Sequence, residues 1–553
     1  MKDNTLKDRT LIRWLLTFAQ PFKGKMTLAI FLGIISNLAV VAIPVISTLT
    51  LLRLIAGTAV NLSLILGLLI ACGILRGVAR YLEQYQNHDI AFRLLAHIRE
   101  EIFAALRKIG PARLTGKNSG DLITSISTDV EALEVFFAHT ISPVFIAIGT
   151  MLVTFLFLAS YDLGLAFLLL MGQLLIGAII PFISYRRNQQ IGDDYKTAFV
   201  AVSQTIMENA NSIKDIAQFQ LEKTRLTKLN TDSRVLNQQN RRRIFQGNTL
   251  QLFSEAVVVG TTLIVFYFGN KQGLPTNTII LSVVLSLSSF GPVLALGNLG
   301  NALLTTFSSG RRLYQLVHEE PFVTFDKNSQ TITEMEQLTA EQLSFSYPNQ
   351  QKKVLDQISL ALKKGQSIGI SGESGSGKST LLKLLMRYWD PASGEITVNN
   401  QELSQLSEGA LHQLEGVMEQ STFLFEDTIA NNISLKRESV SQAAIEEAAK
   451  AAAVHDWISS LPEGYQTELS KLVRSISDGE RQRIGLARLL VYDAPLILLD
   501  EPTSNLDYVN EQAILAAFKE RLQDKTMILV SHRNSTLKIT EKRLHLEQGK
   551  LSK

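Results

Sequence analysis

Apolar residues are distributed along this chain in two distinct patterns. Between 27 and 298 they gather in six runs, at 27–52, 62–81, 141–160, 163–184, 250–269 and 276–298, each close to the ~20 residues a helix needs to cross a bilayer. Six spanning helices put both ends of this region on one side. Gln173 is the main polar interruption of the fourth run; Arg76 and Arg80 interrupt the second, where a buried core helix is the competing reading. Two long polar stretches, 84–140 and 185–248, hold helix formers of mixed charge (Arg93, Arg99, Glu100, Glu101; Lys214, Glu222, Lys223, Arg225) and predict helices that extend well into water. Past 338 short apolar strands such as 367–371 and 496–499 alternate with helical patterns, which predicts α/β architecture around a parallel sheet.

Composition supports this division. Of 553 residues 46% are hydrophobic and only 19% charged, so a membrane region is being diluted by a soluble one. The basic residues sort by side. Lys23 and Lys25 precede the first run, Arg186 and Arg187 follow the fourth, Arg241, Arg242 and Arg243 precede the fifth, and Arg311 and Arg312 follow the sixth. The opposite connections are short and carry little beyond Arg53, Asp162 and Lys271. The basic side is therefore cytoplasmic, in a multi-pass protein of the plasma membrane. Residues 1–20 are charged and amphipathic, which fits a helix lying on the membrane surface better than a cleaved leader. Cys72 is the single cysteine, so no intrachain disulfide forms.

The chemistry is concentrated near the C-terminus. Gly372, Glu373, Ser374, Gly375, Ser376, Gly377, Lys378, Ser379 and Thr380 stand between a strand and an apolar helix. Glycines in that setting let backbone N–H groups curl around a polyphosphate, Lys378 reaches its terminal oxygens, and the Ser379 hydroxyl is placed to ligate Mg²⁺. Downstream, the strand 496–499 ends in Asp500 and Glu501. A buried parallel strand delivers such acids to its carboxyl edge, where Asp500 holds the metal and Glu501 polarises the attacking water.

At this point the residues resemble the ATP-binding cassette family. Tyr347 resembles its adenine-stacking aromatic, Gln420 its metal-sensing glutamine, 504–507 (Ser-Asn-Leu-Asp) its D-loop, and His532 its switch histidine on the γ-phosphate. The segments 120–130 and 208–215 resemble the first- and second-loop coupling motifs of type I exporters. The resemblance implies an α-helical six-span membrane domain followed by an α/β P-loop nucleotide-binding domain, with ATP and Mg²⁺ as cofactors. The expected boundaries are an interfacial helix at 1–25, the membrane domain with its two long cytoplasmic loops at 26–312, a linker at 313–337 and the cassette at 338–553. The bilayer is one partner, and no nucleic acid is expected.

Two segments depart from the family. Its signature Leu-Ser-Gly-Gly-Gln reads here Ile476, Ser477, Asp478, Gly479, Glu480, a loop that in the family clamps the γ-phosphate of the opposite cassette. A carboxylate beside a polyanion costs on the order of 1–4 kcal/mol when partly desolvated, less what solvent and Mg²⁺ screen. The coupling loop upstream reads 469–473 (Leu-Ser-Lys-Leu-Val), with Lys471 at the family's usual glutamate; harmless drift is the plain alternative for both. Because the family's ATP site spans two cassettes, a second half-transporter is implied, and the altered signature favours a heterodimer with one competent and one degenerate site.

The cargo is less determined by the residues. Ionisable side chains inside spans are costly, so Arg76, Arg80, Gln173 and Glu255 are pathway candidates. Glu255 has an equal alternative as a structural partner of an arginine. Export of a small molecule, lipid or peptide by alternating access is the expected activity. An importer on the same scaffold, for example of a siderophore- or haem-like compound, is the alternative, and an ATP-gated channel or regulator comes last.

Overall fold

The computed structural model describes residues 8–114, 122–123, 125–297, 299–325, 332, 334–348, 350, 352–471, 476–504, 508–522 and 525–552. Two units separate by their contacts, Met1–Lys108 with Lys117–Glu319, and Ile109–Gly116 with Glu320–Lys553.

The first unit is helical. Helix α1 (Asp8–Ala19) repeats its apolar positions at helical spacing, and Leu11, Leu15 and Phe18 are buried. That face packs on protein. A Cβ at Gly310 would lie 3.2 Å from Leu11, Trp14 meets the Tyr314 ring edge to face, and Arg311 bridges to Asp8 at 2.8 Å. Among the described residues, six helices are long and apolar enough to span a membrane. They are built from α2 (Lys23–Ile55), α3 (Leu62–Leu114), α4 (Ser142–Ala159), α5 (Leu163–Leu174) with the first part of α6 (Ile180–Asn211), α7 (Glu222–Lys271), and α8 (Thr276–Ser288) with α9 (Gly291–Gly297). Asp162 starts α5 by accepting from the Leu165 amide, an N-cap that fixes the turn between the third and fourth spans. Small residues bring α2 and α4 together, since a Cβ at Gly33 would lie 2.2 Å from Ile146 and one at Gly149 2.4 Å from Ile34. Helix α7 has 50 residues, about 75 Å at the usual rise, so it runs far past the bilayer.

Both coupling motifs are pinned within this unit. In the first, Asp129 is buried and bound by Arg312 and by the Ser309 hydroxyl, both on α10 (Leu299–Val317). Its Gly120, Asp121 and Thr124 lie outside the described residues. In the second, Arg225 on α7 reaches back to Glu208 at 2.7 Å and Asn209 at 2.6 Å.

Among the described residues, the second unit holds two sheets. Strands β1 (Gln337–Phe345), β2 (Leu355–Lys363), β4 (Ser393–Val398) and β5 (Gln401–Glu402) form an antiparallel sheet in the order β2-β1-β4-β5. The other sheet runs β10-β9-β3-β8-β7-β6, from β3 (Ser367–Ser371), β6 (Glu415–Met418), β7 (Leu496–Asp500), β8 (Thr526–Val530), β9 (Lys542–Glu547) and β10 (Lys550–Ser552). All its pairings are parallel except β9 with β10. Strand β8 is buried throughout and β7 up to Asp500, the uninterrupted apolar reading expected where helices cover both faces. Helix α3 breaks at Gly110, whose φ of +76° precedes Pro111. Ala112 beyond the break joins the core of this unit, and the Arg113 guanidinium lies 3.8 Å from the centre of the Phe322 ring.

Candidate functional site

Four neighbouring parallel strands, β3, β8, β7 and β6, end at the same edge of the sheet. The expected nucleotide residues leave from those ends, which is where open α/β sheets bind ligands. After β3 the chain turns through Gly372, with φ +155°, where a Cβ would sit 2.4 Å from the Leu546 carbonyl oxygen. Glycine is required there. Gly377, at φ +107°, opens helix α11 (Lys378–Leu385), so the backbone amides of the loop and first turn converge at one helix N-terminus. Lys378 is buried and its ammonium donates to the Gly372 and Glu373 carbonyls, both at 2.9 Å, so its charge is held across the loop it serves.

Strand β7 delivers Asp500 beside this loop. One of its carboxylate oxygens bonds Ser379, while Oδ1 is buried without a hydrogen-bond partner, as is Ser376 Oγ. Burial pushes the Asp500 carboxyl above its ordinary range; the Ser379 bond lowers it, and the neighbouring Glu501 charge raises it further. An orphaned carboxylate oxygen beside a serine hydroxyl is the donor set a hard divalent cation takes. Glu501 adopts φ +50°, unusual for a non-glycine residue, with its amide tied to the Val530 carbonyl at 2.9 Å. Such a conformation costs on the order of 1–3 kcal/mol and persists where the surrounding structure over-determines it. His532, just past β8, places Nδ1 2.5 Å from the Glu501 carboxylate, joining the two expected catalytic groups.

Tyr347 and Gln420 stand differently. The Tyr347 ring is half-buried edge-on to Trp389 and Phe345, with its hydroxyl 2.8 Å from Thr380 Oγ1, so its contact with the phosphate loop is a hydrogen bond. Gln420 is exposed past β6, and its carbonyl accepts from Gln482 at 3.3 Å. Glu373, Ser374 and Gly375 form the exposed crest of the loop. Of the D-loop only Ser504 is described; 505–507 lie outside the described residues, as do 472 and 473 of the coupling loop and the side chains of Lys471, Arg186 and Arg187.

The altered signature has an orderly local cause. Ser477 caps helix α12 (Asp478–Tyr492) and accepts from the Glu480 amide at 3.2 Å, while the Glu480 carboxylate accepts from the Ser477 amide at 2.8 Å. This capping box satisfies two orphan amides reciprocally. Asp478 occupies the first turn, exposed, and Gly479 behind it is buried.

Sequence reasoning did not single out the half-buried pair behind His532. Arg533 donates to Glu511 on α13 (Tyr508–Arg521) at 2.9 Å and to the Ser504 carbonyl at 2.9 Å, so the histidine loop and the start of the D-loop share one anchor. Spacing carries no sign of this, because 22 residues separate the two charges.

In the membrane unit Arg76 and Arg80 line a cavity of about 590 Å³ with Ser36, Asn37, Glu83, Gln84 and His139. Arg80 pairs with Glu83 at 2.7 Å, a residue three positions on along the same helix face. The pattern Arg76, Arg80, Glu83 could have revealed this polar stripe. Glu255 is not part of it: it accepts from Gln251 on its own helix at 3.1 Å and is exposed, and no pairing with Arg76 or Arg80 is formed. Gln173 is buried and donates to Ser289 at 3.1 Å, bracing the break between α8 and α9.

Known proteins bear on both units. The ABC transporter transmembrane region matches residues 26–293 and the ABC transporter family matches 355–504. A probable ABC transporter ATP-binding/permease protein of Haemophilus influenzae is 37% identical, covering 97% of this chain and 98% of its own length. The glutathione/L-cysteine transport system ATP-binding/permease protein CydC of Escherichia coli is 30% identical over 86% of this chain and 84% of its own. The structure of a bacterial Atm1-family ABC exporter with ATP bound superposes with a TM-score of 0.85 at 20% identity, over 96% of this chain and 94% of that one. The chain therefore belongs to the ABC transporter family, as an ATP-driven transporter whose plasma-membrane domain and cytoplasmic ATP-binding cassette are joined in one polypeptide.

Proposed function

We propose that this chain is one half of a heterodimeric exporter, hydrolysing the ATP on its own phosphate loop and donating a weakened signature loop to its partner. The observation that carries this reading is the carboxylate content of the α12 N-terminus. A helix start attracts anions through its free amides and dipole. Here Glu480 already accepts from one amide and Asp478 adds a second negative charge, so a γ-phosphate from the opposite cassette meets a neutralised end. The chain's own site keeps its full set. Lys378 and the loop amides bind phosphate, Glu501 orients water with His532 holding its carboxylate, and Ser379, Asp500 and Gln420 would hold Mg²⁺, which would neutralise phosphate charge. Tyr347 marks the adenine side.

The cargo of this reading is a small molecule with a carboxylate, recognised by Arg76 and Arg80. The cavity offers two guanidiniums against one carboxylate among amides and a hydroxyl, a surplus of positive donors. The CydC relative is named for glutathione and L-cysteine, and both compounds bear a carboxylate. Transport into inverted vesicles, with the cassettes outside, tests the proposal. ATP-dependent accumulation of labelled glutathione or cysteine inside them supports export, whereas release from preloaded vesicles supports import and overturns the direction.

A further inference from the structure

Outside the nucleotide site, three side chains able to ligate a metal meet in the membrane unit. His88 lies on α3, and Glu134 and His139 lie on the helical turns leading into α4. One ligand atom from each lies within 4.8 Å of the others. His88 Nδ1 is 3.2 Å from Glu134 Oε1, and the imidazoles of His88 and His139 meet edge to face with centroids 5.5 Å apart. His139 also belongs to the wall of the arginine-bearing cavity.

A His88–Glu134 contact accounts for two members of this group and leaves the third imidazole unexplained. Two imidazoles and one carboxylate are the donor set of borderline divalent ions, and three protein ligands leave a coordination position for solvent or an incoming group. Bonds of about 2.0–2.2 Å bring ligand atoms to roughly 3–3.5 Å from each other, so a pair at the 4.8 Å limit must close by about 1–2 Å. His139 is exposed, and rotation of its side chain supplies that movement.

We propose that His88, Glu134 and His139 form a site for a divalent transition-metal ion of the zinc type at the edge of the membrane-unit cavity. An ion there ties α3 to the turns before α4 and is reached through the wall that His139 shares. Nothing in the nucleotide chemistry uses these residues, so this site stands or falls separately from the cassette.

Full-length protein without a polyhistidine tag, in detergent and free of nucleotide, is titrated with Co²⁺ and then Zn²⁺. The expected result is saturable binding with the intense visible absorption of four- or five-coordinate Co²⁺, displaced by Zn²⁺. Affinity falls at least ~10-fold in each of His88→Ala, His139→Ala and Glu134→Gln, while His97→Ala, on the same helix as His88, keeps it. Zn²⁺ should also raise the melting temperature of wild type and of His97→Ala but not of the three variants, which separates lost ligation from lost folding. Binding that the His88→Ala/His139→Ala double variant retains, or no saturable binding below about 0.1 mM, overturns the site.

Discussion

At the scale of single residues, the decisive contact is the one between Glu501 and His532. Glu501→Gln keeps the side-chain volume and leaves Lys378, Ser379 and Asp500 in place, but removes the carboxylate that orients water. With the natural partner present, hydrolysis at this site should fall by roughly 10²–10⁴ while ATP affinity stays within a few fold, measured as turnover beside equilibrium nucleotide binding. Wild-type turnover would remove Glu501 from its role. The placement of the phosphate loop, the acids after β7 and His532 at strand ends was legible in the sequence, because each follows a short apolar run. The positive φ of Glu501 was not, since the backbone region a glutamate adopts is set by the packing of β7 against β8 rather than by its neighbours in sequence.

Among elements, strand β6 carries a group with a predictable pH signature. Glu415 opens the strand almost fully buried, Oε2 has no hydrogen-bond partner, and burial pushes its carboxyl from 4.5 to about 8. In the folded cassette it therefore holds a proton that the unfolded chain releases above 4.5. Its contribution to stability is fully present below 4.5 and is lost as pH rises toward about 8. Glu415→Gln should flatten the decline of the cassette melting temperature across that window; an unchanged slope would mean the carboxyl has another partner when folded. Element identity was largely readable from pattern, as the six spans and the buried strands show. Two features escaped because they depend on neighbours distant in sequence: the break at Ser289 and Phe290 braced by Gln173, and the α1 face spent on α10.

For the whole molecule, the membrane cavity and the cassette set different expectations. Arg76→Gln removes one guanidinium from the cavity without touching the Arg80–Glu83 pair, so it should raise the concentration of carboxylate substrate needed for half-maximal ATPase stimulation by about tenfold, the scale of one charge-assisted hydrogen bond. Basal ATPase should stay unchanged. Glu255→Gln, remote from that cavity in its bonding, should leave substrate stimulation as it is; a selective change there would instead return it to the pathway. The sequence placed Arg76 and Arg80 in a membrane span, but that Glu83, Gln84 and His139 complete their cavity depends on how α2, α3 and α4 pack.

The central claim, that this chain hydrolyses its own ATP but donates a weakened signature, is tested most directly by steady-state ATPase of the chain purified without a partner. In a homodimer both sites receive the Asp478 and Glu480 carboxylates, so wild type should turn over slowly, and the double substitution Asp478→Gly with Glu480→Gln should raise the rate at least ~10-fold by freeing the α12 N-terminus for phosphate. Brisk turnover by the wild-type chain alone, unchanged by that substitution, would contradict it.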